Sequence, residues 1–154
     1  MGVNKKNAEG YQDPTAYEAL TNIVKEERSI KAFKPIVYIC SPFSGNVERN
    51  TAAAQKYSRF AVDKGCLPIA PHLLFPQFLD DSDSFERRLG IRFGEILMGK
   101  CAEVWVFGSY ISNGMRAEIQ RAERKGCTLR YFNEDCKEVT NDGGSRNARK
   151  KNHF

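Results

Sequence analysis

The 154-residue sequence has few of the groups that build metal centres or disulfide frameworks. It has two histidines, and its five cysteines, Cys40, Cys66, Cys101, Cys127 and Cys136, form no CxxC pair and no ligand spacing with a histidine. No metal and no other cofactor is expected, and the cysteines read as reduced, structural thiols. No apolar stretch approaches the ~20 residues that span a bilayer. The opening "MGVNKKNAEG" also lacks the apolar segment of a signal peptide. The expectation is a cytoplasmic protein with no membrane partner.

Positive charge is scarcer than the total suggests. Of the formal +5, the last fourteen residues, "NDGGSRNARKKNHF", supply +3 with four Arg or Lys against one Asp. The body is nearly neutral, so nucleic acid is not the expected partner. With 41% hydrophobic and 28% charged side chains, the chain suits one globular domain with a real core.

What is present alternates. "PIVYIC" (35–40), "CLPIA" (66–70), "EVWVFG" (103–108) and "TLRYF" (128–132) are short, largely apolar runs of the kind that form strands buried on both faces. Between them, "NVERNTAAAQKYSRFAVDKG", "SFERRLGIRFGEILMGK" and "GMRAEIQRAERKG" carry helical periodicity closed by glycine or lysine. Strand, helix, strand, repeated, predicts right-handed crossovers. The expected fold class is α/β: a doubly wound, flavodoxin/Rossmann-like parallel sheet of four to five strands with helices on both faces. The division expected is an N-terminal extension over 1–34, an α/β domain over 35–133 and a disordered basic tail over 134–154. Pro14 and the Thr15 to Glu18 capping-box spacing predict an amphipathic helix in the extension.

In such a sheet, ligands bind beyond the carboxyl ends of the strands. The loop after the first strand, "SPFSGN", offers Ser41, Pro42, Phe43, Ser44 and Gly45. The loop after the second, "PHLLFPQFLDDSD", offers His72 and is long enough to cover a pocket. The third, "GSYISNGM", sets Ser112, Asn113, Gly114 and Met115 at a helix start, where free amides favour an anion. If Met115, Ile119 and Ala122 form the buried stripe of that helix, Glu118 falls on the same inward face. Glu95 sits between Ile91 and Met98 at helical spacing, and burial there is expected to raise its pKa toward that of a usable acid.

The core from about Pro35 to Phe132 resembles the nucleoside 2-deoxyribosyltransferase superfamily, including the 2'-deoxynucleoside 5'-monophosphate N-glycosidases. "VYICSPFSG" looks like the family's opening signature. Ser112, Gly114 and Glu118 fit the closing turn of the monophosphate glycosidases, and Glu95 and Glu103 stand at the spacing of two family acids. The resemblance implies cleavage of an N-glycosidic bond. Glu118 would be the nucleophile, Glu95 the general acid for the departing base, and Tyr38 the residue that orients the nucleophile. Ser112 and the amides after it would hold a 5'-phosphate, while Phe43 and His72 would line the base pocket.

The match has departures. The transferases carry an aspartate where this chain has "SN", which argues for a phosphorylated substrate. The middle-helix acid is usually aspartate, and the glycine before the proline is missing. The chain looks closest to a small bacterial and phage branch with unassigned function. Relatives complete each pocket with a neighbouring subunit, so the expectation is a homodimer or higher homo-oligomer acting on a small-molecule nucleotide or nucleoside. The alternatives are a non-catalytic protein that binds a nucleotide or an ADP-ribose-like signal in the same pocket, and an interaction protein that has lost the chemistry.

Overall fold

The structure, a computed structural model, describes residues 14–140. The chain divides into two units, Met1–Phe33 and Lys34–Phe154. In the first, α1 (Pro14–Lys31) is a single helix with Arg28 and Lys31 in its last turn, where cations meet the negative end of the helix dipole. Thr15 lies inside this helix, so it does not serve as the N-cap that the capping-box spacing predicts.

The second unit contains β1 (Ile36–Cys40), α2 (Val47–Asp63), β2 (Leu67–Ile69), α3 (Pro71–Leu74), a 3-10 turn (Phe75–Gln77), α4 (Ser84–Met98), β3 (Glu103–Phe107), α5 (Asn113–Arg124), β4 (Thr128–Phe132) and β5 (Glu138–Val139). Each of the four expected strands and three expected core helices is there. The sheet order is β2-β1-β3-β4-β5. The first four strands pair in parallel, and β5 runs antiparallel to β4 through Tyr131↔Val139 and Phe132↔Glu138. The doubly wound α/β fold is thus as the sequence predicts. Residues 134–139, expected as part of the tail, are ordered: β5 extends the sheet to residue 139, and Arg130 clasps Glu138 with two hydrogen bonds of 2.9 and 2.8 Å. Residues 141–154, the rest of that tail, lie outside the described residues.

Period-two alternation splits the strands between two cores. Val37, Ile39, Trp105, Phe107 and Phe132 face α2, where Tyr57 and Ala61 complete one cluster. Tyr38, Cys40, Val104 and Val106 face the other way, onto Met98 of α4 and Met115 and Ala122 of α5. The first core is largely aromatic. Phe107 stacks on Tyr57 at 4.3 Å and on Phe132 at 5.0 Å, with Phe60 edge-on at 6.1 Å. The second core holds the smaller side chains, and it is the one that continues into the functional site. All five cysteines are free thiols. No helix among the described residues is long and apolar enough to cross a membrane.

The order reverses at β1 and β3. From β1 the chain winds through α2 to β2 on one side, then returns through α4 to β3 on the other. The loops after β1 and β3 therefore part company beside one another and leave a crevice at the carboxyl end of the sheet.

Phe107 is fully buried, and removing its ring leaves a hole bounded by three other aromatic rings. Phe107→Ala is expected to cost about 3–5 kcal/mol of unfolding free energy. Urea denaturation followed by tryptophan fluorescence measures this; a loss below ~1 kcal/mol would contradict the packing described.

Candidate active site at the carboxyl end of the sheet

The crevice is a cleft of about 210 Å³ whose floor is Tyr38 and Ser41, with Glu118 and Met115 of α5 on one wall and Gly94 of α4 on another. Three loops shape it, and each is fixed locally. After β1, Gly45 turns the chain at φ +97, a left-handed conformation that a side chain strains. The Asn50 amide then donates to the carbonyls of Phe43 and Ser44, both at 3.0 Å. After β2, the segment expected as an open loop folds into α3 and the 3-10 turn, which carry Pro71, His72, Phe75 and Pro76 to the cleft. After β3, Ser109 donates from its amide (2.7 Å) and hydroxyl (2.5 Å) to Glu134, whose carboxyl is held at about 2.

Ser112 is the N-cap of α5, and its hydroxyl oxygen accepts from the Met115 amide at 3.2 Å. Met115 and Ala122 are buried and Ile119 packs beside them, so the predicted stripe holds. Glu118 shares that face, and its side chain is only 12% exposed. Burial raises its pKa from 4.5 to about 7, opposed by the Cys40 thiol, the Arg121 guanidinium and the Tyr38 hydroxyl that surround it. Glu118 Oε2 and Ser41 Oγ are both buried without a hydrogen-bond partner, and both residues line the cleft. Orphaned polar atoms cost free energy unless something satisfies them, so these two are candidates for contact with water or a polar ligand, beside the Tyr38 hydroxyl and Cys40 thiol that approach the Glu118 carboxyl.

His72 lies against Phe43 with rings 4.9 Å apart and nearly parallel, 13° between planes. Its Nε2 stands 3.6 Å from Glu118 Oε1, beyond hydrogen-bond distance. Burial lowers the pKa of His72, against the pull of Asp81 and a hydrogen bond with the Ser41 backbone. Burial thus favours the neutral form of the ring.

Of the residues singled out from the sequence, Tyr38, Ser41, Phe43, Ser44, His72, Ser112, Gly114, Met115 and Glu118 meet at this cleft, while Pro42, Gly45, Asn113 and Glu95 are outside its lining. Glu95 needs correction in its environment. It is 25% exposed, accepts a hydrogen bond from Arg92 at 3.0 Å and pairs with the Arg121 guanidinium at 3.0 Å. These guanidiniums, Arg92 foremost, lower its pKa where burial was expected to raise it. The face of α4 toward the cleft carries Gly90, Ile91 and Gly94 and continues to the buried Met98, and Glu95 falls beside it.

Sequence reasoning missed Gly94 and Arg121. A Cβ on Gly94 would lie 3.4 Å from the Tyr38 hydroxyl and 3.9 Å from Pro71, so the bare glycine lets Tyr38 reach under α4. A glycine within a helix costs ~1 kcal/mol against alanine, and that cost was the available signal. Arg121 lies three residues beyond Glu118, so the same spacing argument that turned Glu118 inward could have found it.

Comparison with known proteins places this geometry in a family. Residues 35–132 match the family described as a domain of unknown function, DUF7768. No curated protein matches the chain. Among solved structures, a 2-deoxyribosyltransferase from the psychrotolerant bacterium Bacillus psychrosaccharolyticus is similar, with a TM-score of 0.51 and 16% identity. The match covers 69% of this chain and 77% of that one, and at that identity it shows a shared fold.

The raised pKa of Glu118 has a stability consequence. Folded, the carboxyl keeps its proton up to about pH 7, whereas unfolded it releases it near 4.5. Between those values the native state binds more protons, so wild-type stability falls as pH rises through the window. Glu118→Gln should thus match wild type near pH 4 and exceed it above about pH 7 by on the order of 3 kcal/mol. Thermal melts across that range check this; a gain independent of pH would refute the buried-proton account.

Proposed function

The chain belongs to the DUF7768 family, and within it we propose that this protein cleaves or transfers the N-glycosidic bond of a nucleotide or nucleoside, with Glu118 as nucleophile. The observation that carries the reading is the pair of buried, unpartnered oxygens, Glu118 Oε2 and Ser41 Oγ, in a cleft whose wall is the stacked Phe43 and His72. A sugar offers hydroxyls to the first two, and its base meets the aromatic wall of the last two. The fold shared with a 2-deoxyribosyltransferase supports the same substrate class.

Attack by the Glu118 carboxylate on the anomeric carbon would form a glycosyl-enzyme intermediate and divide one hard displacement into two easier ones. Tyr38, whose hydroxyl lies beneath Gly94 and interacts with Glu118, would hold the carboxylate in line. Ser112 and Gly114 line the cleft at the start of α5, where helix-end amides favour a 5'-phosphate. Ser112 Oγ is occupied as an acceptor by Met115, but its hydroxyl proton is still available to donate. Water as acceptor completes hydrolysis, and a second base completes transfer.

A second reading, a nucleotide sensor without turnover, is favoured by the state of Glu95. Locked by two arginines and ionised, it makes a poor general acid.

The decisive experiment incubates the protein with nucleosides, their 5'-monophosphates and NAD, and follows free base by chromatography. Wild type is expected to release base, and Glu118→Gln to lose that rate by about a thousandfold or more. Ser112→Ala should weaken binding of monophosphates more than of nucleosides. Base release at an equal rate by Glu118→Gln would remove the nucleophile assignment. Tight calorimetric binding with no base release would establish the sensor in its place.

A further inference from the structure

With Glu95 ionised outside the cleft lining, the N-glycosidase reading lacks a donor for the departing base, and His72 is the group beside the nucleophile that can act as one. Resting on that reading, we propose that Glu118 and His72 share one proton: His72 delivers it to the leaving base and recovers it from the attacking water.

The geometry holds both groups for this. Stacking on Phe43 fixes the plane of the imidazole, and that plane turns Nε2 toward Glu118 Oε1 at 3.6 Å. Such distances are commonly long in a ligand-free site and tighten around substrate. The pair is enclosed. Tyr38 and Cys40 of β1 and Arg121 of α5 face Glu118, while Asp81 and the Ser41 backbone face His72. Arg121 is itself tied to Glu95, so its charge is partly spent elsewhere. Burial disfavours charge on both partners: the Glu118 carboxyl, raised to about 7, is close to balance between acid and anion at neutral pH, and the imidazole beside it is pushed toward its neutral form.

The steps balance. The Glu118 proton passes to His72, leaving a carboxylate and an imidazolium. The carboxylate forms a bond to the anomeric carbon as the carbon–nitrogen bond breaks. The base leaves with that electron pair and takes the proton from the imidazolium. In the second half, neutral His72 accepts a proton from water, and its hydroxide oxygen bonds the anomeric carbon. The Glu118–sugar bond breaks, and the imidazolium returns the proton to the freed carboxylate. The sum is one glycoside and one water converted to free sugar and free base, with the protein unchanged.

The test compares wild type with His72→Gln on 2'-deoxynucleoside 5'-monophosphates and on a 4-nitrophenyl deoxyriboside 5-phosphate, whose leaving group needs no acid. His72→Gln should lose base release from the monophosphates by about a hundredfold or more. It should still release about one equivalent of nitrophenolate, and then stall as a sugar adduct on Glu118 visible in the intact mass. Equal slowing of both substrates without adduct, or wild-type rates on both, overturns the role of His72 while leaving the glycosidase reading in place. No release from any substrate by wild type overturns both. A readout independent of turnover is the His72 imidazole followed by NMR against pH, which should titrate in two coupled steps in wild type and one in Glu118→Gln. A single step in both proteins overturns the shared proton, and it applies even if His72→Gln fails to fold.

Discussion

One buried carboxyl sets the terms for the rest of the site. Glu118 is carried inward because its helix needs Met115 and Ala122 against the sheet, and the same face cannot turn its fourth residue outward. Burying an acid in a largely apolar core is costly, and the fold answers with neighbours of opposite tendency. The Tyr38 hydroxyl and Cys40 thiol approach from β1, and Arg121 one turn along the helix approaches from behind. None of them restores the ordinary carboxyl pKa, which is still about 7. The carboxyl therefore stays close to balance between its two protonation states at neutral pH. That is an unusual position for a residue kept only for packing, and an ordinary one for a residue that reacts.

The two cores divide the work of the domain. The face toward α2 is filled with interlocking aromatic rings and is sealed at the sheet's edge by Arg130, which lies 5.1 Å over Trp105 and 5.4 Å over Phe132. The face toward α4 and α5 is mainly aliphatic and thioether, with Tyr38 as its buried ring, and its packing opens into the cleft.

What the sequence disclosed follows from which signals are periodic. Strands buried on both faces announce themselves as apolar runs, so β1, β3 and β4 were legible almost to the residue. The α5 stripe was legible too, because Met115, Ile119 and Ala122 are all apolar, and with it the inward turn of Glu118. On α4 the signal held for Ile91 and Met98 and failed for Glu95 for a physical reason: the inward position beside it is Gly94, which carries no side chain to mark it. The partners of Glu95 were equally hidden, since one of its arginines comes from another helix. Two-residue β5 is too short for any alternation, and its place in the sheet depends on cross-strand ion pairing with Arg130.

That short strand, together with its counterpart at the opposite border, has a consequence for how copies of the protein can meet. Sheets with long open borders recruit further chains by backbone pairing, the route to fibrils and to shared-sheet assemblies. Here one border is β2, three residues long with Pro68 at its centre unable to donate a hydrogen bond, and the other is β5, with the charged Glu138 facing its partner strand's arginine. Neither offers, among the described residues, a ladder long enough to template a neighbour. With borders this short, pairing of the sheet with another chain has little backbone to build on among the described residues.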